Sequence, residues 1–325
     1  MASEAGEAPA QAKAAPESVP AAAILMVVIL TLFWGINFPI MKLALSAIDP
    51  WCFRVVCLVV GSAGLFAIAA ANGQRIHAPR GDWPSLVLAS LLNITLWHMF
   101  SAFGLRLMEA GRAVILAYTM PIWAMLFAWV LLGERPRPSR LLGLALGMAG
   151  IVVLVGDAAL RPDMPSSATL SSATFSSGAL AGAVCMLAAA ISWGAGTAML
   201  KVRRWGMATT VLTGWQLLIG AGPIVVGSFF FGHVPDPARI RLTVWLALAY
   251  ATTIPMILCH YAWNRLVGLV PAGIAAITTL LIPVVGALSS APLLGEPIGT
   301  RELLALALVV AAVGVVLRGP ARRRS

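Results

Sequence analysis

Two histidines, His98 and His260, sit inside long apolar stretches of this 325-residue chain, each with polar and aromatic neighbours. Asn93 and Trp97 flank the first, and Trp263 and Asn264 follow the second. Earlier in the chain Trp34 and Asn37 stand three apart, on one face of a helix, and Trp193 echoes Trp34. Tyr118 with Thr119, and Thr278 with Thr279, complete the set. An imidazole changes charge near neutral pH, so two chemistries fit: proton transfer, or hydrogen bonding to a polar cargo. Burial disfavours the charged ring, which favours the second. The plainer reading of these residues is packing. Asn and Thr between membrane helices are often interhelical glue, at about 0.6 kcal/mol each, and Trp is a common interfacial anchor. No nucleophile with a base, no phosphate loop and no metal-ligand spacing accompanies them, so no catalytic residue, metal or cofactor is expected.

The elements that hold these residues must live in lipid. Sixty percent of the chain is apolar, a tenth is charged, and the mean hydropathy is +0.92. A soluble protein of this size needs far more charge to cover its surface. A spanning helix takes roughly 20 apolar residues to cross about 30 Å of hydrocarbon. Stretches of that kind run near 22–42, 51–71, 85–106, 113–132, 141–156, 178–200, 209–231, 243–265, 273–292 and 302–317. Ten helices are expected, in an all-α bundle, because lipid offers backbone groups no partner.

The chain writes one phrase twice. Ala110-Gly111, Pro121 and Gly133-Glu134 return as Ala272-Gly273, Pro283 and Gly295-Glu296, each 162 residues later. His98 and His260 keep the same offset. Trp34-Gly35 with Lys42 returns as Trp193-Gly194 with Lys201, at an offset of 159. Each copy holds five spans. An odd number returns the chain to the opposite side, so the second copy inserts upside down and a pseudo-two-fold axis lies in the membrane plane.

With the N-terminus inside, fourteen Lys and Arg fall on the cytoplasmic side and eight outside, Lys42, Arg54, Arg106 and Arg112 among the eight. That bias favours both termini in the cytoplasm. The net charge of +10 is then an orientation signal and a lipid contact rather than a nucleic-acid surface. Cys52, Cys57, Cys185 and Cys259 all lie in apolar segments and are expected as buried free thiols.

The phrases Ala110-Gly-Arg-Ala-Val-Ile-Leu-Ala-Tyr-Thr-Met-Pro121 and Leu131-Leu-Gly-Glu-Arg135 resemble the EamA-type branch of the drug/metabolite transporter superfamily. So do Pro271-Ala-Gly-Ile-Ala-Ala, Leu281-Ile-Pro283 and Leu293-Leu-Gly-Glu-Pro297. The resemblance covers about residues 24 to 317. It implies a ten-helix carrier with both termini in the cytoplasm. A central cavity lined by the first, third and fourth helices of each half is implied too, and many members export amino acids or related metabolites. On this reading residues 1–21 are a disordered cytoplasmic tail and 22–156 the first five-helix repeat. A Ser-rich extracytoplasmic linker fills 157–177, the second repeat 178–318, and a basic cytoplasmic tail 319–325.

Polar side chains at membrane depth usually face the bundle interior. The expected cavity set is therefore Trp34, Asn37, Asn93, His98, Tyr118, Trp193, His260, Trp263, Asn264 and Thr278. The fifth and tenth spans lack polar side chains over 141–155 and 303–317 and should be peripheral. Pro39, Pro121, Pro255 and Pro283 interrupt apolar spans, where a proline either hinges a helix or fixes a kink. The matched pair Pro121 and Pro283 is the preferred hinge. Glu134 and Glu296, at helix mouths, read as solvated. All twelve carboxylates fall in tails, loops or helix ends, so the usual intramembrane carboxylate relay is missing.

The expected function is a bacterial inner-membrane carrier that moves a small metabolite outward by alternating access. Its partners are that substrate and the lipid bilayer, without nucleic acid and with a homodimer left open. Two rivals remain: a membrane-embedded transferase acting on lipid-linked substrates, and a non-transporting sensor or scaffold.

Overall fold

The computed structural model describes the backbone of residues 21–132, 138–160, 177–269 and 272–317. Side chains are described there except at 132, 139–140, 154–160, 177, 201, 267–269, 272–280, 313 and 316–317. All regular structure among these residues is helical. The first half comprises α1 (Ala21–Leu45), α2 (Pro50–Ala71), α3 (Trp83–Ser90), α4 (Trp97–Leu107), α5 (Ala110–Ala117), α6 (Met120–Leu132) and α7 (Pro138–Leu160). The second comprises α8 (Ser177–Val202), α9 (Thr209–Phe231), α10 (Leu242–Thr253), α11 (His260–Leu269), α12 (Ala272–Leu294) and α13 (Thr300–Leu317).

Two rods are composite. A π-helical turn, Leu91–Leu96, joins α3 to α4, and another, Ile254–Cys259, joins α10 to α11. Among the described residues seven helices are long and apolar enough to cross a membrane, and two apolar stretches, Leu141–Val153 and Leu281–Leu294, are shorter. The outward faces are greasy. Phe229, Phe230, Phe231 and Val130 are all well exposed, as side chains that meet lipid are. Local starts and stops are ordinary: Asp49 caps α2 by accepting from Trp51 N–H at 2.9 Å, with Pro50 opening the helix. Helix α7 runs on to Leu160, past the expected boundary at 156.

The halves interlock. The principal packing pairs are α1 on α12, α2 on α9, α4 and α6 on α8, and α7 on α13, and each joins the first half to the second. Glycines set the closest approaches. A Cβ on Gly35 of α1 would lie 2.7 Å from Val285 of α12, and one on Gly194 of α8 would lie 2.6 Å from Trp123 of α6. Gly61 of α2 meets Met256 in the second π turn, while Gly220 of α9 meets Ile94 in the first. Gly35 and Gly194, like Gly61 and Gly220, are 159 positions apart; Trp123 and Val285, like Ile94 and Met256, are 162 apart. Each contact thus recurs with the halves exchanged, the reciprocity that a two-fold relation requires. Helices α7 and α13 pack on one another through Gly150 against Val309, to one side of these seams.

Candidate functional site

The site begins at the two π turns. An α-helix that takes in an extra residue widens locally and loosens its hydrogen-bond ladder, a deviation often found at functional positions. Asn93 lies within the first turn and His98 just beyond it. Both are buried, and Asn93 Oδ1 and His98 Nδ1 have no hydrogen-bond partner among the described residues. The Asn93 amide occupies the space a Cβ on Gly196 of α8 would need. In the second half His260 Nδ1 lies 2.8 Å from the Pro255 carbonyl oxygen. A carbonyl only accepts, so Nδ1 carries the proton and Nε2 is left as an acceptor.

Aromatic rings close around both turns. The Trp34 ring lies 5.7 Å from His260 in an edge-on arrangement and 6.0 Å from Trp263. Across the pseudo-two-fold, Trp193 lies 5.1 Å from Trp97. Tyr118 sits beside Phe38 at 6.3 Å, where the rod breaks between α5 and α6. Asn37 Oδ1 is another buried atom without a partner among the described residues. One of the expected residues is bonded elsewhere, and another cannot be placed. Asn264 donates to Thr213 Oγ1 of α9 at 3.3 Å, a helix-packing contact, and the Thr278 side chain lies outside the described residues.

The two prolines expected as hinges sit differently. Pro121 is the second residue of α6, just after the break at Tyr118 and Thr119; Thr119 Oγ1 donates to Leu116 O at 2.7 Å and accepts from Trp123 Nε1 at 3.2 Å. Pro283 lies within the unbroken α12.

Three side chains escaped the sequence reading. Arg54, counted among the outer charges, lies inside α2 and is only 2% exposed. Its Nε donates to His98 O and its Nη2 to Ser101 Oγ, both at 2.9 Å. Among the described residues both of these partners are neutral, so a full positive charge lies next to His98 without a carboxylate bonded to it. Thr31 and Gln216 are buried and add two more unpartnered polar atoms. Glu296, read as solvated, is the other correction. Its side chain is 10% exposed and bonded to Lys42 and to the first residues of α5. The signal for Arg54 was its type alone, since arginine one turn inside an apolar span is costly unless used.

The EamA-like transporter family model matches residues 21–156 and 180–318. A probable amino-acid metabolite efflux pump of Salmonella typhimurium is similar at 27% identity over 316 residues, covering 93% of this chain and 96% of that protein. The aromatic amino acid exporter YddG of Ancylobacter novellus is similar at 26% over 255 residues, 74% of this chain and 81% of the exporter. One crystal structure shares the fold with a TM-score of 0.61 at 22% identity, covering 90% of this chain and 95% of that one.

Proposed function

The chain belongs to the EamA-like transporter family, and from that premise we propose that it carries a small amino acid or related metabolite outward by alternating access. It is a multi-pass membrane protein and a transporter, not an enzyme. The reading takes ten spanning helices, five in each half, with the second half inverted and both termini in the cytoplasm of a bacterial inner membrane. The observation that carries it is the pair of unpartnered buried atoms at the first π turn, Asn93 Oδ1 and His98 Nδ1, with Asn37 Oδ1 on α1 as a third. Orphaned buried polar groups are expensive and call for a partner. A polar cargo supplies one. The uncompensated charge of Arg54 favours a cargo bearing a carboxylate, and the rings of Trp34, Trp97, Trp193 and Trp263 favour an apolar side chain beside it. Two relatives named for amino-acid efflux support the same class.

Counterflow in proteoliposomes tests this directly. Vesicles preloaded with a neutral or aromatic amino acid should exchange it, saturably, for labelled external substrate, and the amino-acid amide should compete poorly. Exchange of amide and acid at equal rates would remove Arg54 from the reading. No exchange across the amino-acid panel would remove the substrate class. A cysteine at Ser325 that reacts from outside intact cells would overturn the orientation.

A further inference from the structure

At the end of the bundle where α1 and α12 finish, five charged side chains from both halves converge. Lys42, at the end of α1, donates to Glu296 Oε1 at 2.8 Å and to the Met108 carbonyl at 2.6 Å. Glu296 also accepts the backbone N–H of Ala110 at 2.9 Å and of Gly111 at 3.1 Å, the first residues of α5. Two free amides at a helix start, together with an ammonium, make a strong seat for a carboxylate. Gly295 makes the approach feasible. Its φ of +69° closes α12 with a left-handed residue and turns the next side chain back across the bundle. Beside it Arg112 Nε donates to Glu302 at 2.7 Å and pairs with Glu109 at 3.0 Å. Lys42, Glu109 and Arg112 belong to the first half, and Glu296 and Glu302 to the second.

We infer that the Lys42–Glu296–α5 contact is a releasable clasp that holds one mouth of the transport path shut and must open for cargo to pass. The inference rests on the carrier reading and adds to it the place where the carrier parts. The chemistry of the contact supports release. Ion pairs and charged hydrogen bonds exchange for water with little net change when both partners become hydrated. The glycine seams at Gly35 and Gly61 are different, because parting them would expose apolar surface with no compensation. The charges also sit beside a small recess between α5, α12 and α13, lined by Gly111, Ser290, Glu296 and Leu306. Burial pushes the Glu109 carboxyl above its ordinary range, with Arg112 opposing and Glu296 adding to the shift.

The test uses the full chain in membranes, with Ser290→Cys as a buried reporter beneath the clasp. A membrane-impermeant maleimide is applied to intact cells and, separately, to inverted vesicles, and the rate is corrected for the chain without the reporter. Glu296→Gln and Lys42→Met should each accelerate labelling about ten-fold or more in one preparation only. The exchanged pair Lys42→Glu with Glu296→Lys should stay fast, because a lysine cannot sit on the amides of Ala110 and Gly111. Equal rates in parent, Glu296→Gln and Lys42→Met, in chains that still run as folded protein on gel filtration, would overturn the clasp. A restored slow rate in the exchanged pair would overturn the role of the α5 amides. Labelling needs no substrate, so its outcome stands apart from counterflow. The preparation that responds reports which side the mouth faces.

Discussion

In the first half the π turn Leu91–Leu96 carries Asn93 and leads to His98, both with an unpartnered buried atom, and Arg54 is bonded to the His98 carbonyl. In the second half the turn Ile254–Cys259 carries Pro255 at the place of Asn93, and the His260 ring bonds the Pro255 carbonyl itself. The place of Arg54 is taken by Thr213, which accepts a neutral bond from Asn264. Duplication therefore preserved the shape of the helix while the polar equipment diverged. One turn satisfies itself. The other is left needing a partner. Among the described residues the unpartnered buried polar atoms are concentrated on the first half.

Arg54 gives that comparison its hardest test. Arg54→Met should lower exchange of a carboxylate cargo by ~10- to 100-fold, the range of one or two charged hydrogen bonds at about 1.5–3 kcal/mol each. Arg54→Lys should recover little of it, because an ammonium cannot reproduce the forked donor geometry. Thr213→Val should change exchange by less than about two-fold, as loss of one neutral packing bond implies. Equal losses at the two positions would mean that the halves share the chemistry.

The histidines are expected to differ less. His98→Gln should reduce exchange roughly ten-fold and His260→Gln only a few-fold, since His260 already has an internal partner. In both variants exchange and net flux should fall together, as for a ring that binds cargo. Loss of a pH-driven flux with normal exchange would instead make these rings proton carriers.

Smallest of all should be the prolines. Pro121 follows a break, whereas Pro283 sits in a continuous helix. Pro121→Ala restores a missing N–H where the rod is already open and should slow turnover a few-fold, by favouring a straight helix. Pro283→Ala should have a weaker effect on turnover, measured in the same vesicles. The reverse order would place the working hinge in α12.

Much of this was legible beforehand. The ten apolar stretches and the repeated phrase come from hydropathy and spacing, which lipid and duplication dictate. Trp34, Trp193, His98 and His260 stand out because polar and aromatic groups are rare at depth. Other features left no local trace. The two π turns, Leu-Leu-Asn-Ile-Thr-Leu and Ile-Pro-Met-Ile-Leu-Cys, share no motif that announces a widened turn. Arg54 was misplaced because one turn of helix separates a loop from the interior. Glu296 was misread for a deeper reason. An offset of 162 identifies equivalent residues, but it does not say that the Gly-Glu of one copy meets the Ala-Gly of the other.

The reciprocal glycine seams bear on how the chain is made. Helix α1 finds its main neighbour in α12, α2 in α9, and α7 in α13, so three of the five principal packing pairs join segments about half the sequence or more apart. Contacts this distant form late, after the entropy of closing a long loop has been overcome. As the helices of the first half leave the ribosome, they carry bare glycine grooves and a buried arginine whose surroundings are incomplete. They must wait in the bilayer, loosely associated, until the helices of the second half arrive and pack against them. A nascent chain stalled before α8 would therefore be a substrate for membrane proteases, and its lifetime would be set by the pace of synthesis more than by the stability of the finished protein.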